Sequence, residues 1–392
     1  MWKPVSLLVV MGLAGAHAVA QDDWDVWETE HEADIAVAAS TADGAPVAWL
    51  GRFSLSTNRV LDNGLEIGAA GRFEVQADHP ARAGFSGVPG GGTGVAGGWQ
   101  GAFSGLALGP QSEHVGPHGQ LEAAYIYAEG GYGEVRLGRD RGVAARFHEG
   151  APGIFGAATT ANPVLDPAGG GYIRTDHDLT GPAAKLSYAS PRILGLRAGI
   201  SFTPRADVRG LDRDPERSIP GVPDIRIESA AEAALNLNRR LRESGIRLQA
   251  TLAYSRADVD AGAAAAPIYG TVETWSAGGS AEFDTVTVGA SVLSSNNGVD
   301  SGPGDYSAWT IGATKQAFSL TFGLDYGESQ DDLTGLDSEA WSIGASKEVR
   351  DGVNLALGYR EQDNRQRQIL PLRPASQRDS AEGVVLEITL SF

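Results

Sequence analysis

Cysteine is absent from this chain of 392 residues, and methionine occurs only twice. Without thiols there is no disulfide framework, no cysteine nucleophile and no cysteine-ligated zinc or iron–sulfur site. Basic residues are scarce: 31 Lys and Arg stand against 49 Asp and Glu, a formal charge of −18. Phosphate backbones are bound by clustered Lys and Arg, so the balance argues against a nucleic-acid partner. Long apolar runs are missing as well. Beyond residue 20 no stretch approaches the ~18 residues of a spanning helix, which rules out a helical membrane protein. Glycine, by contrast, is abundant at 53 residues, without the strict three-residue period of collagen. Hydrophobic residues make up 42%, enough for a packed protein and too many for a disordered one.

Residues 1–20 read as an export leader. Lys3 gives a positive start, 5–16 are mostly apolar, and Ala18-Val19-Ala20 offers the small-x-small pattern of a cleavage site. The apolar run is shorter than the ~20 residues a spanning helix needs, so an anchor helix is the weaker reading. Cleavage after Ala20 would leave 392 less 20, or 372 residues, with 30 basic against 49 acidic side chains.

What repeats beyond the leader is an alternation of period two. Val384, Leu386, Ile388, Leu390 and Phe392 alternate with polar or small residues, as do Phe318, Leu320, Phe322, Leu324 and Tyr326. Ile246 to Tyr254 and Leu65 to Val75 behave alike. Such segments are strands with one apolar and one polar face. A soluble sandwich and a transmembrane barrel both use them. Strands of roughly ten residues match the ~9–11 that cross a bilayer at a tilt, whereas sandwich strands more often run about five or six. The polar faces carry Gly, Ser, Glu and Arg, which suits a wet lumen. Aromatics such as Tyr254, Trp275, Trp309, Tyr326, Trp341 and Tyr359 collect near strand ends, as interfacial girdles do.

Connection lengths alternate too. Tight turns are expected at 58–64, 129–133, 190–195, 238–245 and 349–352, with shorter ones at Asp284 and Gln316. Longer polar or Gly/Pro-rich loops fall at 77–119, 140–180, 204–223 and 362–380. Short turns at one rim and long loops at the other are the barrel pattern. Strands are expected to start near Asp34, Val47, Gly64, Gly119, Gly133, Gly181, Ile193 and Asp224. Eight more follow near Gly245, Thr271, Thr285, Asp305, Ala317, Asp337, Val353 and Ala381, about sixteen in all. Residues 21–33 then form an N-terminal extension ahead of a barrel over 34–392.

Four local features resemble the general trimeric porins of Gram-negative outer membranes. Gly133-Glu-Val-Arg-Leu-Gly-Arg139 is similar to the strand ending in Gly-Arg before that family's constriction loop. Leu186-Ser-Tyr-Ala-Ser-Pro191 with Gly195 resembles its following hairpin, and Leu61-Asp-Asn-Gly-Leu-Glu-Ile-Gly68 its first short turn. The chain ends in Phe392, where the family presents an assembly signal to the barrel-insertion machinery. The resemblance implies an all-β, transmembrane antiparallel barrel of about sixteen strands, a homotrimer in outer-membrane lipid and lipopolysaccharide. It also implies a third loop, 140–180, folded inward, and passive diffusion of small hydrophilic solutes and ions. The acid excess adds a weak preference for cations.

In such pores loop carboxylates stand opposite wall arginines. Arg139 matches the Gly-Arg position, and Arg52 in Gly-Arg-Phe-Ser takes the polar phase beside Phe53 and Leu55. Arg72 and Arg174 are further wall candidates, although Arg72 could simply pair with Glu66 or Glu74. Where the family often has Pro-Glu-Phe-Gly-Gly, this chain reads Pro152-Gly153-Ile154-Phe155-Gly156, so the carboxylate falls to Glu149 or Asp166. Asp176-His177-Asp178, Asp331-Asp332 and the Asp300/Asp305 pair could hold calcium, but acids in polar loops are usually solvated. No metal site and no cofactor are expected.

Signs of catalysis are few. Gly92-Thr-Gly-Val-Ala-Gly97 fits a dinucleotide motif on paper, yet no helical pattern follows it. Gly116 and Pro117 prevent the helix that would give His114 and His118 ligand spacing. The chain is therefore not expected to be an enzyme. The alternatives are an outer-membrane barrel hydrolase with a site assembled from distant loops, and a secreted soluble β-rich binding protein.

Overall fold

The alternation resolves into sixteen strands in a computed structural model, which describes residues 27–42, 44–80, 82, 99–107, 116–206, 210–211, 224–265, 267–367 and 378–392. The leader and residues 21–26 lie outside the described residues. In chain order the strands are β1 Glu28–Ser40, β2 Ala48–Val60, β3 Glu66–Ala77, β4 His118–Gly130, β5 Gly133–Arg139, β6 Ala184–Ala189, β7 Leu196–Ala206 and β8 Arg226–Arg240. They continue as β9 Arg247–Asp260, β10 Thr271–Phe283, β11 Val286–Ser295, β12 Tyr306–Ala317, β13 Leu320–Asp331, β14 Leu336–Arg350, β15 Val353–Gln366 and β16 Arg378–Ser391. Each pairs antiparallel with its sequence neighbours, and β1 pairs with β16, so the sheet is a closed barrel. Closure leaves no edge along the paired length. No helix among the described residues is long and apolar enough to cross a membrane.

Strands start where expected at Gly133, Thr271 and Val353, and within two residues at most other positions. Four others, β6, β7, β13 and β16, lie three residues away, and the first departs most. It begins at Glu28, six residues before Asp34, because Glu28 to Glu32 extend it by pairing with β2 alone. The last strand ends beside it: the Phe392 and Ala33 amides donate to each other's carbonyls at 3.0 and 3.2 Å. Short turns and both described chain ends share one rim, and the long loops share the other.

Outward positions are apolar: Leu324, Ile343 and Leu357 stand 51, 49 and 55% exposed. Near the loop rim the aromatics face outward with carboxylate partners. Trp309 and Trp341 donate through Nε1 to Glu328 and Glu361, each at 3.2 Å, and Tyr359 donates to Glu382 at 2.7 Å. An amphipathic ring with a polar tip suits such a boundary.

The packed core lies inside the barrel, because the third long loop, residues 140–183 between β5 and β6, folds into it. Its first turn is the short helix α1, Val143–Arg146, held by Ser201 and Glu232, which accept from the Val143 and Ala144 amides. Val143, Ala144 and Phe147 bury against Ala189, Ala234 and Ala253. Farther on, Ile154, Phe155, Ala157, Ala158 and Leu165 pack on inward Ala36, Ala38, Ala48, Leu50, Ala356 and Val385. At these contacts small apolar residues, most of them alanine, take the inward positions.

Glycines give that loop its bed. Gly278, Gly289, Gly312, Gly323, Gly344 and Gly358 face inward on six successive strands, β10 to β15. A Cβ on Gly278 would sit 2.0 Å from the Glu149 carbonyl oxygen, and one on Gly312 would sit 2.2 Å from that of Pro152. Only glycine lets the two backbones approach so closely.

Candidate functional site

Carboxylates and amides of the wall then fix the loop. Glu387 of β16 accepts from the Gly156, Ala157 and Ala158 amides at 2.6, 2.9 and 2.6 Å. Gln362 and Asn364 donate to the Gly169 and Gly170 carbonyls, and Gln76 and Arg82 donate to that of Val164. The return limb is anchored by His177, whose ring nitrogens bond Ser255 Oγ at 2.7 Å and Ser276 Oγ at 2.9 Å. Burial and His148 hold the His177 ring down to about 3, against Asp178 and Asp176. Burial also lowers His148, with Asp176 opposing.

A second loop enters the barrel as well. Residues 101–107, between β3 and β4, reach the far wall, where the Ala102 amide donates to the Asn297 carbonyl at 3.0 Å and the Ser104 amide to Asn297 Oδ1 at 2.9 Å. Phe103 and Leu106, each 1% exposed, pack with Tyr172, Leu293 and Tyr306 in one apolar cluster. Tyr172 donates to the Ser104 carbonyl and so ties the two loops together.

The insertions fill the interior along β8–β15, the third loop also covers Ala36, Ala38, Ala48 and Leu50 on β1 and β2, and space remains beside the turn-rim halves of β1 and β2 and along β3–β5. There a cavity of about 770 Å³ is lined by Glu30 and Glu32 from β1, Arg72 from β3, Arg136 from β5, and Arg141 and Arg146 from the loop. Its basic side is densely tied. Arg136 contacts Glu134 and lies 2.9 Å from Asp140, with its guanidinium 4.6 Å over the Tyr125 ring. Arg146 and Arg197 reach the same Glu134 at 3.2 and 2.8 Å, so one carboxylate carries three guanidinium groups. Arg141 pairs with Glu122 at 3.2 Å. Burial alone would lower its guanidinium, but Asp178 and Glu122 more than offset this and hold it above its usual range.

The six residues expected at a constriction scatter across this geometry. Arg52 keeps its polar phase and lies 2.8 Å from Glu74, so its charge is paired. Arg72 lines the cavity and donates to Ser54 Oγ at 3.3 Å; its expected partners are engaged elsewhere, Glu74 by Arg52 and Glu66 by Tyr127 and Asn58. Arg139 is corrected. It shares the phase of Val135 and Leu137, 44 and 55% exposed on the outer face, and its Nε donates to the Leu121 carbonyl at 2.5 Å. Arg174 is 6% exposed inside the loop, beside Asp176 and Tyr306, and is not a wall residue. Asp166 is also corrected: it is fully buried, 3.2 Å from Arg360, and accepts from the Gly171 amide. Glu149 accepts from Asn236 and Gln249 at 3.4 and 3.2 Å.

Arg136 and Arg146 were missed. The first was legible, since Val135-Arg136-Leu137 places it on the polar phase; the second sits in a loop without periodicity. Among the described residues no group of three or more His, Asp and Glu is arranged to hold a metal ion. Asp331 instead accepts from Thr334 and Asn297, and Asp332 pairs with Arg367 at 2.8 Å.

Comparisons agree with this architecture. The anion-selective porin from Comamonas acidovorans is 14% identical, with 94% of this chain and 100% of that chain covered at a TM-score of 0.58. OmpF from Salmonella typhi, solved with daunomycin, is also 14% identical, with 93 and 97% covered at 0.58. The trimer form of OmpT from Vibrio cholerae is 11% identical, with 94 and 100% covered at 0.54. No curated protein sequence matches the chain significantly. At such identities the likeness speaks for the fold, while the sequence itself matches the family model for Gram-negative porins over residues 7–367. By that match and by its closed sixteen-strand barrel, this chain belongs to the Gram-negative porin family and is a multi-pass β-barrel of the outer membrane.

Proposed function

We propose that the chain forms a water-filled channel for passive diffusion of small hydrophilic solutes and ions, weakly selective for cations, with no catalytic step. The observation that carries this is the position of the third loop. It is bedded on the far wall by glycine and leaves a polar passage beside β1–β5. An opening lined by charged side chains passes hydrated solutes and sorts them by sign rather than by shape. The excess of 49 acidic over 31 basic residues supports cation preference, and the arginines around Glu134 oppose it, so the net bias is small. We further propose a homotrimer contacting outer-membrane lipid and lipopolysaccharide, as the family suggests, with Phe392 as the signal read by the insertion machinery.

The test is a planar bilayer recording on purified protein. Stepwise ohmic conductance is expected, with a reversal potential favouring cations and shrinking as salt rises, since screening shortens from ~10 Å at 0.1 M to ~3 Å at 1 M. Absence of conductance, or strong anion selectivity, would overturn this reading in its first or second part respectively.

A further inference from the structure

We infer that the cation-recognising half of the selectivity filter is carried by β1, through Glu30 and Glu32, and not by the third loop. This rests on the channel reading above.

The loop's described carboxylates are Asp140, Glu149, Asp166, Asp176 and Asp178. Asp140 lies 2.9 Å from Arg136, and Glu149 accepts from Asn236 and Gln249. Asp166 is fully buried with Arg360. Asp176 faces Arg174 at 3.4 Å, and Asp178, 4% exposed, accepts from the Gly181 amide. Each is engaged within the protein. All five are buried or half-buried, whereas Glu30 and Glu32 are exposed.

The first strand is different. Ala36 and Ala38 are buried beneath the loop, which fixes the even-numbered positions of β1 as inward. The same phase carries Asp34, Glu32, Glu30 and Glu28 toward the lumen. Register then shows what stands beside them. Asp34 is opposite Arg52, but Glu32 is opposite Ser54, Glu30 opposite Ser56 and Glu28 opposite Asn58. On the other flank β16 has already ended, its last register pair being Ser391 with Asp34. Glu30 and Glu32 are therefore exposed, with hydroxyls on one side and no strand on the other. No ion pair involves them among the described residues.

They also share the passage with its basic side. The cavity that Glu30 and Glu32 line is the one lined by Arg72, Arg136, Arg141 and Arg146. Ser54 pairs with Arg72 on β3, so Glu32, Ser54 and Arg72 form one row across three strands. Two strand spacings separate the Glu32 and Arg72 backbones by about 10 Å, and the Arg72 side chain donates to Ser54 Oγ between them rather than to Glu32. Along this passage the guanidinium groups of Arg136, Arg141 and Arg146 stand among their paired carboxylates Glu122, Glu134 and Asp140, whereas Glu30 and Glu32 on β1 carry no paired cation among the described residues. Monovalent cations, and the ammonium groups of small solutes, would track along β1.

The experiment compares Glu30→Gln/Glu32→Gln with Glu149→Gln in bilayers at 0.1 M and 1 M salt. The double variant should lower the cation-to-anion permeability ratio about threefold at 0.1 M and much less at 1 M, because the groups are exposed and screened. Glu149→Gln should leave the ratio unchanged. Since the chain has no cysteine, Glu30→Cys gives a second arm after folding. A sulfonate-bearing methanethiosulfonate should restore the ratio, and a trimethylammonium-bearing one should depress it further. An unaltered ratio in a conducting double variant, or a ratio that moves with Glu149→Gln instead, overturns this inference and leaves the channel standing. Wild-type protein that fails to conduct at all overturns the channel reading and this inference with it.

Discussion

Replacing Glu387 by Ala should unfasten the middle of the third loop while the barrel stays closed. The carboxylate accepts three loop amides within 2.9 Å and is itself 1% exposed. Hydrogen bonds to a charged group contribute about 1.5–3 kcal/mol each, so three give at least about 4.5 kcal/mol. That corresponds to an increase of roughly three orders of magnitude in the population of the undocked segment. The remaining anchors, Gln362, Asn364, Gln76 and His177, confine the release to the region around Ala158. Ala158 is fully buried, which makes Ala158→Cys a reporter in a chain without other thiols. Its reaction with a thiol reagent should accelerate by about the same factor in the Glu387→Ala background, and open-channel noise should rise with it. Equal labelling rates in the two backgrounds would refute the claim that this carboxylate holds the loop.

Two further outcomes are expected. The unfolded His177 ring takes up a proton near 6.5 and the folded one only near 3, so the packing it supports is at full strength above pH 6.5. It weakens by up to ~1.4 kcal/mol per pH unit below that and levels off near 3, about 2.7 kcal/mol being lost at pH 4.5. His177→Gln should flatten the decline in thermal stability between pH 7.5 and 4.5, and an equally steep decline would contradict it. Deleting Phe392 removes the paired backbone bonds to Ala33 at the barrel seam; the amount assembled in the outer membrane should fall while synthesis continues, and unchanged assembly would refute the role proposed for the chain end.

Most of the barrel was legible because each strand separates two solvents, lipid and water, and a period of two records that directly. That record ends where the two solvents cease to differ. Glu28 to Glu32 lie beyond the end of β16, where Thr29 and His31 occupy the outward phase, so no apolar alternation marks the start of β1. At Arg139 the motif and the phase disagreed: Val135 and Leu137 announced an outward position, and the phase prevailed. The site was less legible than the fold. Asp166 looked like a loop carboxylate free to face water, but its partner Arg360 lies nearly two hundred residues along the chain, and no local pattern encodes that pairing. The inserted segment at 101–107 gave only a small apolar island, Ala102-Phe103 and Leu106-Ala107, in glycine-rich surroundings.

The glycine bed also dictates an order of events. The third loop belongs to the first half of the chain, yet its floor is laid by β10 to β15 and its clasp, Glu387, is only five residues from the C-terminus. Contacts across such separations form slowly, because the intervening chain must be ordered first. The bore is consequently finished last. Until the final strand has closed against β1, the segment around Ala158 lacks its clasp. Narrowing of the pore and completion of the wall are thereby made one act, and the aperture of the mature channel certifies that both chain ends have met.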